Sequence, residues 1–313
     1  MSDSPPEPSA AGSPDEPAKP KKPPPQGIWR GWVRPLLVVI LIVTTVRSSL
    51  IDWNDVPTGS MVPTVMVGDR IAVNKLAYGF NLPFNGPVLA VPLINVNIPW
   101  PLDFLPGFYW GAPEPNDIVT FWKPGGFFEP AYEQWLALGA GADEARARAT
   151  VGDGGIRMVK RVVAGPGDVV EMRPVTQKFD GRPFDFSQLV INGEAAVYTD
   201  KQGVELTETL GGVSRRVQYL RGTTIAMGGG RSRPFPLQPA AHRFGPYTLG
   251  DDEYLMIGDN RDNSQDGRFF GPVKRDQITG QAKFVAVSFE DGITNPAWGR
   301  FFKGFDRGLH SPE

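Results

Sequence analysis

The hydrophobic pattern of the chain changes abruptly near its start. Residues 1–27 are dominated by Pro, Ser, Ala, Asp, Glu and Lys, offer almost nothing apolar to bury and are expected to be a disordered tail. Residues 33–51 follow, a stretch of 19 with charge only at Arg34 and Arg47, around an uninterrupted run at 35–46. Wound as a helix, the stretch is about 28 Å long, close to the ~30 Å hydrocarbon core of a bilayer, with an arginine near each end placed to snorkel to headgroups. A cleavable secretory signal would need small residues at a cut site, and Val46-Arg47-Ser48-Ser49 is a poor one. A buried core helix fits less naturally straight after a disordered tail. The pattern therefore predicts a membrane anchor over 28–51. Lys19, Lys21, Lys22, Arg30 and Arg34 precede it, and only Arg47 follows closely, before Asp52 and Asp55. This asymmetry orients the N-terminus to the cytoplasm and the remainder outside, as a single-pass protein.

Beyond the anchor the period shortens to two. Residues 69–75 (DRIAVNK) and 117–122 (DIVTFW) alternate. Residues 155–163 lead into the turn Pro166-Gly167-Asp168, and a further strand is expected over 169–172. Residues 189–198 (LVINGEAAVY) carry Asn192-Gly193 at their centre, a strong hairpin signal, and 253–257 and 281–289 complete the set. Short strands with Gly/Pro punctuation predict a mainly β domain of coiled antiparallel sheets, barrel-like, over 52–300. A short C-terminal tail is expected at 301–313. Insertions are expected near 80–115, 125–155 and 199–245, the second partly helical over 131–149. Residues 80–113 mix prolines and glycines with Phe84, Leu89, Ile94, Trp100, Phe108, Tyr109 and Trp110. They read either as an extended hairpin packed on the core or as a surface dipping into the outer leaflet, where Trp and Tyr favour the interface.

Composition narrows the chemistry. The net charge of −2 gives no electrostatic argument for nucleic acid. Cysteine is absent, which removes disulfides, thiolate catalysis and cysteine-based metal sites. The only histidines are His242 and His310, the second three residues from the C-terminus. A serine nucleophile in this chain is therefore expected to use a base other than histidine. No cofactor or metal is implied. A calcium loop starting at Asp262 fails at its twelfth position, which is Val273 where a bidentate Glu is required.

Three segments carry candidate chemistry. In Val56-Pro57-Thr58-Gly59-Ser60-Met61-Val62-Pro63-Thr64, each proline fixes its own φ and extends the residue before it. Gly59 frees the backbone ahead of Ser60, so the Ser60 amide and the Thr58 hydroxyl can serve as two oxyanion donors beside one nucleophile. In 156–163 (IRMVKRVV), alternation puts Lys160 on one face with Ile156, Met158 and Val162, and Arg157 with Arg161 on the other. Lys160 thus projects from an apolar wall, which lowers its pKa toward that of a working base, while Arg161 is expected to reach solvent. The third segment, 258–268 (GDNRDNSQDGR), is a polar loop between strands. There Ser264 is placed to hold the Lys160 amine and Asp266 to pair with Arg268 beneath it.

PTGSMVPT, GDRIAVNK, DIVTFWKP, MVKRVVAGPGD and GDNRDNSQDGRFFGPV occur in this order behind the anchor. Together they resemble the boxes of type I signal peptidases, membrane serine proteases with a Ser/Lys dyad. The resemblance runs from about residue 46 to 273, interrupted by the insertions. It implies removal of N-terminal signal peptides from exported preproteins at Ala-x-Ala-type sites. Ser60 would be the nucleophile and Lys160 the general base, with Thr58 and the Ser60 amide as oxyanion hole. Ser264, Asp266 and Arg268 would support the dyad. The shallow apolar substrate pockets would be lined by Val56, Pro57, Met61, Val65, Met158 and Val159. It further implies the cytoplasmic (inner) membrane, with the catalytic domain outside, and preproteins, the lipid bilayer and a nearby secretion translocon as partners. Thr58 stands where Ser is common in the family, Gly267 replaces a frequent Ser, and Ala164-Gly165 replaces the usual Gly-Leu. Ser/Lys self-cleaving repressors share this chemistry but are soluble. Maturation peptidases for pilin or conjugation precursors, and a non-catalytic membrane-tethered β module that binds exported chains, remain as alternative readings.

Overall fold

The computed structural model describes residues 27–80, 82, 88–91, 96–99, 107–137, 139–151, 156–220, 224–227, 231–234, 243–290, 294–305 and 309–310. The chain divides into two compact units, one ending at Leu41 and the other Ile42–Glu313. A single helix in the described residues, Trp29–Ser49, 21 residues with a mean hydropathy of 1.5, is long and apolar enough to cross a membrane. It exposes Leu36, Leu37, Val39, Leu41 and Ile42. An apolar helix without a polar face has no stable place in water. The tail at 1–26 lies outside the described residues.

The second unit is mainly β and is built on a curled antiparallel half-barrel. Along it the strands run Ile51–Asp55, Asp69–Asn74, Ile278–Ser288, Ile118–Trp122, Arg157–Ala164, Glu253–Ile257 and Val273–Lys274, with Lys303–Gly304 joining Ile278–Ser288. Inside this order, away from its two end pairs, neighbours lie far apart in sequence. The strand bearing Lys160 thus joins the sheet through long-range pairing, Arg157 to Trp122 and Arg161 to Ile118 on one side, Arg161 to Ile257 on the other. A second sheet packs Val169–Phe179 between Arg182–Ile191 and Phe244–Thr248, and a third joins Val197–Gln202, Glu205–Leu210 and Val213–Gln218. The Asn192-Gly193 turn has both residues at positive φ, 52° and 83°, as a two-residue hairpin requires, and Ile191 pairs with Glu194 across it. The strand expected over 169–172 extends to Phe179. The insert is two helices, Glu129–Ala137 and Ala142–Ala149.

Three apolar clusters fill the body. The largest joins the second and third sheets to the half-barrel around Phe186, Tyr198, Tyr219, Phe244 and Leu255. Another lies beneath Lys160's face of its strand, with Val119, Phe121, Val162, Met256 and Phe270, and Met158 packs against it. The third, Val56, Met61, Val65, Ile71, Val73, Ile118 and Ala282, anchors the Ser60 segment, with Val159 against it. Within the 80–113 segment, Gly79–Phe80 pairs with Phe108–Tyr109 and Val88–Val91 with Val96–Pro99. Phe108, Tyr109 and Trp110 are exposed, and the Arg275 guanidinium sits 4.5 Å over the Tyr109 ring. His242 and the greater part of the 80–106 stretch lie outside the described residues; His310 pairs with Val213.

Gly68 ties the Ser60 segment to the sheet. Its φ is +89°, and a Cβ there would stand 1.9 Å from the Phe289 carbonyl oxygen, to which no side chain can adjust because the obstacle is backbone. Gly68→Ala is expected to destabilise the domain by at least ~2 kcal/mol, read as a lower urea midpoint at unchanged slope; an unchanged midpoint would contradict this account of the turn.

Candidate active site

The Ser60 segment folds as its prolines require, with Val62 extended ahead of Pro63 at φ −61°, ψ 135°. Thr58 is extended at φ −129°, ψ 150°, and Gly59–Met61 form one 3-10 turn. Thr64 and Val65 donate their amides to the Met61 carbonyl. Met61 and Val65 are buried and draw the turn onto the sheet, whereas Thr58 and Pro57 are exposed. Ser60 is thereby held at the boundary, 9% exposed, with Lys160 only 2% exposed beside it. Lys160 Nζ lies 2.6 Å from Ser60 Oγ, and 3.1 Å from the Val159 carbonyl oxygen to which it donates. Burial brings the Lys160 pKa down from 10.5 to about 8; Asp266 and Asp259 pull it up at longer range and Arg268 pushes it down. No carboxylate forms an ion pair with this amine among the described residues.

The polar loop after Ile257 holds this pair from below. Asn260 donates its amide to the Ser60 carbonyl at 3.1 Å and its side-chain amide to the Gly59 carbonyl at 3.0 Å. Gly258 has no room for a side chain: a Cβ would stand 2.2 Å from Ser264 Oγ and 2.5 Å from the Ser60 carbonyl oxygen. Asp266 takes Arg268 Nε at 2.7 Å on one oxygen, and Arg268 NH2 at 2.8 Å with the Gly258 amide at 2.9 Å on the other. Burial alone would raise the Asp266 carboxyl, but Arg268 and these hydrogen bonds hold it below its usual range. Ser264 is buried. Its hydroxyl makes no hydrogen bond to Lys160; it is turned toward Asp266, whose pKa it helps to lower, without completing a regular hydrogen bond.

Arg161 departs from expectation. It is buried, not solvent-exposed, because the Ser60 segment, the turn at Asn116 and the 258–268 loop close over its side chain. Its guanidinium grips Asp259 through Nε at 2.8 Å and NH2 at 2.6 Å, and reaches the Asn116 carbonyl at 3.0 Å. Thr64 donates to the same Asp259 carboxylate at 2.5 Å, so the Ser60 segment is tied to the 258–268 loop both at Gly59–Ser60 and at Thr64. A second buried network backs the first. Glu208, on the third sheet, is held by Arg215 at 2.5 Å and Arg261 at 2.7 Å and accepts from the Tyr198 hydroxyl at 2.5 Å. Burial would raise the Glu208 carboxyl, but the two guanidinium groups hold it well below the usual range. Removing one partner of such a buried pair costs about 3–5 kcal/mol, because the other charge is left unpaired. Asp259, Asn260 and Glu208 were not singled out from the sequence. The density of short polar residues at 258–268 marked the loop, but little in its local sequence marks Glu208.

Two further features shape the site. Residues 157–160 pair only with Ile118–Trp122, since pairing with Glu253–Ile257 begins at Arg161. The other backbone edge beside Lys160 therefore has no strand partner among the described residues. Val56, Met61, Val65 and Val159 come together in one apolar cluster, while Met158 faces the other. The described residues contain no group of His, Asp and Glu side chains able to hold a metal ion. The arrangement offers a hydroxyl, a desolvated amine and an open strand edge lined with apolar side chains.

The family model for signal peptidase, peptidase S26, matches residues 29–287. Signal peptidase I of Pseudomonas aeruginosa is 30% identical over 263 residues, covering 81% of this chain and 70% of its own. That of Pseudomonas fluorescens is 29% identical over 272 residues, covering 81% and 70%, and that of Helicobacter pylori is 25% identical over 302 residues, covering 87% and 90%. With a match over most of its length, this chain belongs to the signal peptidase family, peptidase S26.

Proposed function

We propose that this peptidase cleaves signal peptides from exported preproteins at Ala-x-Ala-type sites, with Ser60 as nucleophile and Lys160 as general base. The observation that carries the reading is the 2.6 Å approach of a buried, carboxylate-free amine to a hydroxyl. Neutral Lys160 takes the Ser60 proton, and Ser60 Oγ attacks the scissile carbonyl carbon. The oxyanion sits between the Thr58 hydroxyl and the Ser60 amide. Lys160 then returns the proton to the leaving amine, and water releases the acyl-enzyme. Asn260 and Gly258 hold the turn that presents Ser60, and Asp266, Arg268 and Ser264 fix the floor on which Lys160 lies.

The substrate is proposed to dock as an added strand on the free edge of residues 157–160, a recurrent way of binding extended peptides. Val56, Pro57, Met61, Val65, Met158 and Val159 would then shape shallow pockets that admit only small side chains. Membrane anchoring through the apolar helix brings enzyme and bond together. Ser60 lies 13 residues beyond Arg47, a tether of at most about 45 Å, so it works near the outer face of the inner membrane with the N-terminus in the cytoplasm. A preprotein held by its own apolar segment meets it at raised effective concentration, in proximity to the translocon.

Ser60→Ala and Lys160→Ala are each expected to abolish preprotein processing while expression and membrane insertion persist; normal processing by either variant would refute the dyad. The pH profile carries the sign of the Lys160 shift. Only the neutral amine acts as base, so kcat/KM should climb tenfold per pH unit below about 8 and level off above it. A profile flat from neutral pH to 9 would show that no such lysine controls the step. Thr58→Val keeps the shape of the side chain and removes its hydroxyl. It should lower kcat by ~10²–10³, and a loss below tenfold would leave the Ser60 amide as the only donor.

A further inference from the structure

The mouth of the curled sheet holds a charge cluster that the proposed reaction does not use. Asp52, in the first strand, is buried. Arg47 reaches its Oδ1 through Nε at 3.0 Å and NH2 at 2.8 Å, Arg157 reaches Oδ2 at 2.7 Å, and Lys75 Nζ lies 3.7 Å away. Three cations thus share one carboxylate, and among the described residues none of the three is ion-paired elsewhere. Crowding shows on Lys75, brought down to about 8 by burial and by Arg157, with Asp52 opposing.

The cluster also has unmet hydrogen-bonding capacity. Ser49 Oγ, Asn54 Nδ2 and Arg157 Nε are buried and find no hydrogen-bond partner among the described residues. These atoms belong to one neighbourhood. Arg157 NH1 contacts Asn54 Oδ1 at 3.1 Å, and Lys75 Nζ donates at 3.0 Å to the carbonyl of Ser48, next to Ser49. Buried polar groups are almost always satisfied, so an excess of two positive charges beside three unmatched groups calls for an anion with several acceptor oxygens. A phosphate group supplies them, and guanidinium forks match its geometry.

Position selects the source of that phosphate. Arg47 and Ser49 end the apolar helix Trp29–Ser49, so on the membrane-anchored reading proposed above, on which this inference rests, they lie at headgroup depth. On the same strand as Asp52, Ile51 and Trp53 are exposed, and the Arg47 guanidinium stacks 4.2 Å over the Trp53 ring, a pairing suited to the interface. We propose that Arg47, Lys75 and Arg157, with Ser49 and Asn54, bind the phosphate of an anionic phospholipid headgroup. The bound lipid pins the start of the strand that carries Lys160 three residues further on. Cleavage in a membrane therefore depends on anionic lipid.

The test uses the full chain reconstituted into phosphatidylcholine vesicles titrated with phosphatidylglycerol at constant ionic strength. Flotation of the vesicles and preprotein cleavage are both measured. Cleavage by the unaltered chain should rise with phosphatidylglycerol. Lys75→Gln should raise the half-stimulating lipid fraction about fivefold, the effect of one charge at a membrane surface. Asp52→Asn keeps all three cations, removes their only carboxylate and should lower that fraction. These opposite shifts separate a lipid site from a network that merely closes the sheet, which both substitutions would weaken alike. Equal rates in the two lipids, or shifts in the same direction, would overturn the proposal, as would stimulation by inorganic phosphate in pure phosphatidylcholine. Failure to float with phosphatidylcholine vesicles would overturn the anchor itself and this site with it.

Discussion

A lysine amine removed from water without a carboxylate against it is the condition around which this domain is organised. Desolvation disfavours the ammonium form, and an isolated charge in such a place is tolerated only because it can shed its proton. Lys160 meets that condition: its Nζ contacts Ser60 Oγ and the Val159 carbonyl oxygen. A salt bridge there would stabilise the cation and restore an ordinary lysine. The nearest acids are spent elsewhere, Asp259 on Arg161 and Asp266 on Arg268. Both still pull the Lys160 pKa up at longer range, and Arg268 opposes them.

This explains why so many charges lie inside a small β domain. Arg161, Arg261 and Arg268 are all nearly inaccessible. Buried ion pairs seldom add stability over apolar packing of the same volume. What they provide here is position. The chain of contacts from Glu208 through Arg261 to the 258–268 loop, and from Arg161 through Asp259 to Thr64, ties the third sheet, the half-barrel and the Ser60 turn into one frame. Asn260 completes it by holding the carbonyls of Gly59 and Ser60. In the proposed reaction, this frame fixes the hydroxyl relative to the amine before substrate arrives, and so removes a reorganisation cost from the chemical step.

Much of this was legible in the sequence. Period-two alternation located the main strands, Asn192-Gly193 marked its hairpin, and alternation placed Lys160 beside Met158 and Val162. The Asp266–Arg268 pair was readable because both partners lie in one short loop. Other features were not. Arg161 was expected in water because alternation assigns a residue to a face but does not say whether that face is covered. Here the Ser60 segment and the 258–268 loop cover it. Ser264 is expected on the Lys160 amine, yet its buried hydroxyl has no hydrogen-bond partner among the described residues. Glu208 gave little signal, since an acid flanked by threonines and facing Arg215 across its own hairpin reads as an ordinary surface pair until Arg261, 53 positions away, closes on it.

By itself, the sequence determined the elements and their chemistry: an apolar helix long enough for a bilayer, alternating strands, a proline- and glycine-shaped turn that presents Ser60, and a lysine on an apolar face. These depend on neighbours a few residues apart, and local sterics and periodicity govern them. Only the tertiary structure decided that Ser60 and Lys160, 100 positions apart in the chain, meet at hydrogen-bonding distance. It also decided which strand edge stays open beside them and which buried acids are neutralised by which arginines. Those outcomes depend on the order of strands in a curled sheet. That order is set by the summed burial of surfaces distant in the chain, a quantity no single segment carries.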